Sequence, residues 1–318
     1  MADPEHLNLA SFIKSVHKDL RDRSRSGDPE RIWSEHLEDE SLLEKYALSM
    51  KLLATKYWTN EDNSRINWIY DQIYQYFFQE GYMHERQRDI KFSKRMGVDI
   101  AHSFYDVQIC NNKIKVLDVG SCYNPFEVFE NLDVVAVDIA PSTPSVIKCD
   151  FLQVEIGANT HVSEDKQIQT LGRKSFNVVI FCMLLEYLPS TRQRFQCIKK
   201  SVELLMEDGL LCIVTPDSSH QAKNMHQIKS WRRGLQRMGM RNVAYHKSKH
   251  FHGIVCRKPS QIVHDLTKEE SANEDMDNVE EMFFILQDSV KDCEVDLVDH
   301  VELDRDSFVT DFQELPDL

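Results

Sequence analysis

Glycine is scarce in this chain, 10 residues in 318, less than half the usual ~7%. That excludes a glycine-rich β architecture and favours long helices. Long apolar runs are missing too. The longest, Val178–Leu185, has eight residues, against the roughly 20 a membrane-spanning helix needs, so no membrane role is expected. The start, MADPEHLNLA, has no basic cluster, apolar stretch or small-residue cleavage site, so a secretory signal is not expected. None of the eight cysteines forms a CxxC pair, and Cys182 and Cys212 sit inside apolar runs. Reduced, buried thiols in a cytosolic or nuclear protein are the expectation. A surplus of basic charge is also absent. The formal net charge is −14, which as a whole-chain average disfavours nucleic acid.

What is present falls into three regions. Between Pro29 and Pro125 there is no proline, and between Gly27 and Gly97 the only glycine is Gly81. Leu43, Ala47, Met50, Ala54 and Trp58 lie on one helix face, and Ile66, Ile69, Ile73 and Phe77 form a second stripe. Residues 1–97 therefore read as a helical bundle domain with aromatic filling. Thr59–Ser64 is its turn, and a third helix runs over about His84–Phe104. From Ile114 the pattern becomes short, β-branched, doubly apolar runs: Ile114–Gly120, Leu132–Ala140, Ser175–Leu185 and Gly209–Pro216. Strands buried on both faces belong to parallel sheets flanked by helices. Helices are expected around Phe195–Leu205 and Gln221–Met238, with a closing strand pair, Asn242–Ser248 and Phe251–Lys258. Residues 98–258 are thus an α/β Rossmann-like domain. Residues 261–318 hold 19 acidic and three basic residues, net −16, so the rest of the chain is +2. The tail, 259–318, is expected to be partly disordered, with EMFFILQDSV apolar enough to dock on the body.

The chemistry concentrates in VLDVGSCYNPF, Val116–Phe126. A first strand ending in Asp118 and Gly120 must turn beside a ligand, and glycine permits close approach and positive φ. The second strand ends in Asp138, where a carboxylate can accept both hydroxyls of a ribose; the alternative is a helix N-cap before Pro141. Asp150 and Phe151 follow, suited to an adenine edge and face, though Phe151 fits a core position equally. Only one glycine of a GxGxxG fingerprint is present, and Tyr123 and Pro125 stand where a pyrophosphate would need bare backbone. S-adenosylmethionine, which has no phosphate, suits the segment better than a dinucleotide.

Together VLDVGSCYNPF, VDIAPSTPSVIKCDFL, FCMLLEYLPS and GLLCIVTPDSSHQ, with RIWSEHLEDESLLEKYALSMKLLA upstream and FQELPD in the tail, resemble the SAMTOR family. That family is related to fungal large-subunit rRNA adenine-N(1) methyltransferases. The likeness spans about residues 30–258 and implies a class I methyltransferase fold used as an S-adenosylmethionine sensor. Such a sensor restrains TOR complex 1 by binding the GATOR and KICSTOR assemblies when the metabolite is scarce, and S-adenosylhomocysteine would compete for its site. On the matching positions, Gly120 would line the methionine end, Asp138 the ribose, Asp150 and Phe151 the adenine, and Cys182 the sulfonium. The setting would be cytoplasmic, with recruitment to the lysosomal surface through partners.

The alternative is an active rRNA adenine-N(1) methyltransferase. Its polar candidate is Glu186 in CMLLEYLPS, a general base or simply a helix cap or arginine partner. Ser218–Lys258 holds ten basic and no acidic residues with Trp231, Tyr245 and Phe251 interleaved. This footprint fits RNA, a docked protein or the acidic tail, with RNA the less favoured. A sensor must also couple ligand to partner, and the expectation is that the helical bundle packs over the cofactor cleft. Arg65 is the cation offered to the ligand's carboxylate; a surface salt bridge is its other reading.

Overall fold

The computed structural model describes residues 3–57, 64–100, 113–217, 221–248, 250–272 and 278–288. Residues to Asp288 form one compact unit. The turn expected at Thr59–Ser64, Trp58, and the acidic tail beyond Asp288 fall almost wholly outside the described residues.

Helices α1 (Pro4–Ser26) and α2 (Pro29–Glu38) begin with the same device. The carboxylate of Asp3 or Asp28 accepts the N–H two residues on, and a proline follows where no N–H is needed. Asp39 caps α3 (Glu40–Leu52) through Leu42 N–H at 3.0 Å. A π-turn over Leu53–Tyr57 ends this run. Then come α4 (Ser64–Phe78) and α5 (Gly81–Arg95). The third helix expected over 84–104 is thus shifted: it starts earlier and stops at Arg95, where the chain turns through Gly97 at φ +79°.

The sheet strands are β1 (Ile114–Val119), β2 (Leu132–Asp138), β3 (Ile147–Lys148), β7 (Phe176–Cys182), β8 (Leu205–Pro216), β9 (Arg241–Lys247) and β10 (Phe251–Arg257). Three short strands, β4 (Glu155–Gly157), β5 (His161–Val162) and β6 (Ile168–Gly172), make a separate small sheet. The main order is β3-β2-β1-β7-β8-β10-β9, parallel except for β10, which runs antiparallel to both its neighbours. The four apolar runs read from sequence are β1, β2, β7 and β8, and the closing pair is the β9–β10 hairpin. Helices α6 (Thr191–Leu204) and α7 (Gln221–Arg237) cover one face, and α8 (Gln261–Ala272) packs beside α5 and α7.

The N-terminal helices divide between the two faces of the sheet. Val16, Leu20, Ile32 and Trp33 join the core formed with Leu117, Phe181 and Ile213. Ile66, Ile69, Ile73 and Phe77 of α4 pack on the opposite face against Val116, Ile180 and Val214. Gly253 of β10 makes this possible, because a Cβ there would come within 2.3 Å of the Trp68 ring.

The docking expected for EMFFILQDSV takes the form of two 3-10 turns, Val279–Phe283 and Leu286–Asp288. Phe283 is fully buried. Its carbonyl accepts from Arg194 Nε at 2.7 Å, while Trp231 Nε1 donates to Phe284 O at 2.7 Å. The basic stretch is less basic at the surface than its composition implies. Arg241, Arg257 and Lys258 are buried, and Lys258 Nζ donates to the carbonyls of Val202 and Leu205 at 2.6 and 2.8 Å.

Arg257 anchors a charge cluster at the amino ends of the parallel strands. It donates to Asp208 and Asp89, each at 2.5 Å, and Arg86 donates to Asp208 at 2.5 Å. The Tyr76 hydroxyl adds a bond to Asp208 O at 3.0 Å. Helices α4 and α5 are thereby tied to the base of the sheet.

Candidate functional site

At the carboxyl ends of β1, β2 and β7 lies a cavity of about 780 Å³, its open mouth included. Open α/β sheets place ligands at this edge. Gly120, Asp138, Asp150, Phe151 and Cys182 all line it. Arg65 does not; it lines a second, adjoining cavity with Asp118, Ser121 and Tyr123. The two cavities share Met50, Gly120, Cys122, Cys182 and Met183 as walls.

Gly120 has φ +72°, and its N–H and that of Ser121 both donate to Val137 O, at 2.9 and 3.1 Å. This turn places Cys122 N–H 2.9 Å from Asp138 Oδ2, while Ala140 N–H donates to Oδ1 at 2.8 Å. Asp138 therefore caps no helix: its carboxylate is oriented by two backbone amides at the rim of the cavity. Burial still pushes it up, to about 6, against the pull of those amides. Asp118 is more enclosed. Burial raises it to about 7 although Ser121 Oγ donates to it at 2.6 Å.

Asp150 accepts Leu152 N–H at 2.9 Å on one oxygen and Trp33 Nε1 of α2 at 3.3 Å on the other. Phe151 meets Phe181 edge-on at 5.8 Å and is 5% exposed. It is both a core aromatic and a cavity wall. Cys182 ends β7, its thiol pushed up to about 11 by burial, with the Arg65 guanidinium beside it acting in the opposite sense. Arg65 is 7% exposed, so it is a buried cation and not a surface one.

As expected of the helical bundle, N-terminal helices wall the cleft. Trp33, Leu43, Tyr46, Ala47 and Met50 line the first cavity. The stripe Leu43–Ala47–Met50 was visible as a helix face; that this stripe, and not Ile66–Phe77, faces the cavity was not. Behind it stand two imidazole–phenol pairs, His17 with Tyr46 at 2.7 Å and His36 with Tyr187. Burial pushes His17 down to about 4 and lowers His36 as well.

Glu186 follows β7 and lies in neither cavity. It does not cap α6, whose cap is Ser190. Among the described residues neither carboxylate oxygen makes a full hydrogen bond, the Thr215 hydroxyl offering a weaker contact. Burial raises it to about 6. As for an arginine partner, Arg194 acts on it only weakly and is bonded to Asp288. No group of three or more His, Cys, Asp or Glu suited to a metal occurs among the described residues, nor does any helix long and apolar enough to cross a membrane.

The strand order, with one antiparallel strand inserted next to last, and an acid at the end of the second strand define a class I S-adenosylmethionine-dependent methyltransferase fold. Residues 71–285 match the family model described as 25S rRNA (adenine(2142)-N(1))-methyltransferase, Bmt2. Two curated relatives carry the name "S-adenosylmethionine sensor upstream of mTORC1". The one from Xenopus laevis is 35% identical over 98% of this chain and 84% of its own length, and that from Danio rerio is 35% identical over 98% and 85%. The chain belongs to the SAMTOR family and to the family the Bmt2 model describes. Among solved structures, the N-methyltransferase NodS from Bradyrhizobium japonicum WM9 with S-adenosyl-L-homocysteine aligns at TM-score 0.32 and 12% identity, over 55% of this chain and 88% of that one. A likeness of that size adds no weight beside the strand order itself.

Proposed function

We propose that this chain binds S-adenosylmethionine in the paired cavities and serves as a sensor rather than a housekeeping catalyst. Asp138 takes the ribose hydroxyls, Asp150 and Phe151 the adenine, and Gly120 and Cys182 the methionine end and sulfonium. Arg65 takes the carboxylate from the adjoining cavity. S-adenosylhomocysteine competes for the same contacts. In the cytoplasm the ligand-poor form binds GATOR and KICSTOR assemblies, which carry it to the lysosomal surface and hold TOR complex 1 in check; ligand binding releases it.

One observation carries this reading. The ligand cavity is walled by helices outside the methyltransferase sheet, and Trp33 of α2 is bonded to Asp150, the residue assigned to adenine. A ligand shifts an equilibrium only through differential affinity for two states. Here a ligand that engages Asp150 competes with, or reinforces, a bond from the helical layer 1–97. Occupancy is thereby felt by elements that take no part in methyl transfer.

A second reading, rRNA adenine-N(1) methylation, is favoured by Glu186, a buried carboxylate without a full hydrogen bond at the end of β7. Methyl transfer to a base requires an entry for that base, and Glu186 is enclosed. The deciding experiment measures S-adenosylmethionine binding by calorimetry, methyl transfer to total RNA, and capture of GATOR and KICSTOR components with and without ligand. Ligand-reversible capture without transfer supports the sensor. Transfer with ligand-indifferent capture overturns it in favour of the enzyme, and absence of binding overturns both.

A further inference from the structure

On the sheet face opposite the ligand's helical wall, α4 and Phe129 form a row of aromatic rings; Tyr70, Phe78 and Phe129 pack partly against the core, and Tyr74 is exposed. Phe129 stacks face to face on Tyr70 at 3.8 Å, Tyr70 is 6.0 Å from Tyr74, and Tyr74 is 5.5 Å from Phe78. Tyr74 is 40% exposed, and Val128, beside Phe129 in sequence, is 75% exposed. Scattered exposed apolar residues need no explanation; a continuous row does. Asp71 on the same helix, and Glu127 and Glu130 flanking Val128 and Phe129, are exposed. None of these three acids forms an ion pair among the described residues.

We infer that this row is a docking surface for an amphipathic, basic segment of a partner protein, its apolar side on the rings and its lysines or arginines on the three acids. Aromatic rows rimmed by charge are the composition of interface centres. The charge selects the partner: an acidic segment or a nucleic-acid strand would meet three uncompensated carboxylates. The surface is built from two segments that begin at the candidate ligand site. Helix α4 carries Arg65 in its first turn, and the chain leading to Phe129 leaves β1 at Gly120. The inference does not depend on what that site binds, because the contact chemistry lies on the outer face.

The test titrates the full chain, without added metabolite, against a labelled synthetic helix of leucine and lysine and against its leucine–glutamate counterpart, followed by fluorescence anisotropy. The lysine helix is expected to saturate at one per chain and the glutamate helix not to bind. Tyr74→Ala combined with Val128→Ala should weaken binding roughly tenfold or more, a loss of about 1.4 kcal/mol. Leu48→Ala, an exposed apolar change on α3, should leave it unchanged. Asp71→Asn with Glu127→Gln and Glu130→Gln should weaken binding and flatten its salt dependence. All the altered side chains are exposed, so unchanged thermal unfolding certifies the fold. Equal binding by the Tyr74/Val128 variant, or by the glutamate helix, overturns the inference. So does a dimer in sedimentation that Tyr74→Arg dissolves, since a second copy would then cover the face, or binding of a single-stranded RNA oligomer that Tyr74→Ala abolishes.

Discussion

The two ends of the sheet treat buried carboxylates in opposite ways. At the amino ends of the strands, Asp89 and Asp208 are met by Arg86 and Arg257, whose donor distances are 2.5 Å. At the carboxyl ends, Asp118, Asp138, Asp150 and Glu186 are held by backbone amides, hydroxyls or an indole in place of arginines; burial raises all four, as it raises Asp208. The first end is a finished structural clamp. The second keeps negative charge under tension, the condition under which a cationic or hydroxyl-bearing ligand gains most on binding.

The largest effect should come from breaking the clamp. Arg257→Met leaves two buried acids short of a partner and should cost about 3–5 kcal/mol in chemical denaturation, with ligand affinity in the surviving folded fraction unchanged. At the other end, Asp138→Ala should lower affinity for S-adenosylmethionine by roughly 10–100-fold in calorimetry, the loss expected for hydrogen bonds to a charged group, with little change in melting temperature. Wild-type affinity in Asp138→Ala would break the comparison at its ligand end.

The pH dependences sharpen it. Asp118 is raised to about 7, so the folded state binds its proton more tightly than the unfolded one. The stability it contributes is complete below about 4 and is lost as pH rises through 7. Asp118→Asn should therefore gain stability relative to the parent chain at pH 8 and not at pH 4, by about 1–3 kcal/mol, read from paired melting curves. His17, lowered to about 4, has the opposite sign: its contribution is present above about 6.5 and is lost as pH falls through 4. The smallest expected effect is that of Trp33→Phe, which removes one indole hydrogen bond worth about 1 kcal/mol. It should shift ligand affinity severalfold in either direction and leave the clamp untouched. No shift in affinity would separate the helical layer from the ligand.

How much of this was legible beforehand follows from where information sits in a chain. Strands β1, β2, β7 and β8 are apolar on both faces, so the runs themselves announced a parallel sheet. Residues at their carboxyl ends must converge, and Gly120, Asp138 and Cys182 do. Asp150 and Phe151 join them from the loop after β3, a two-residue strand that no apolar run marked. Which helices form the wall was hidden, because periodicity tells which side of a helix is buried and not against what. Ile66, Ile69, Ile73 and Phe77 made as clear a stripe as Leu43, Ala47 and Met50, yet they lie on the other side of the sheet. Charge counts failed for a similar reason. Arg241, Arg257 and Lys258 counted as surface footprint until their partners, Asp89, Asp208 and the α6 carbonyls, were located.

The strap from Val279 to Asp288 bears on the order in which the chain can be completed. Arg194 is fully buried in the first turn of α6, and its guanidinium is satisfied by Phe283 O and Asp288 as well as by Leu188 O. Trp231 likewise waits for Phe284 O. During synthesis the sheet and both helices are made before these partners exist, so Arg194 and Trp231 lack those bonds until the strap is made. A chain ending at residue 277 should therefore aggregate on expression, whereas one ending at Asp288, which removes 30 residues rich in acid, should fold.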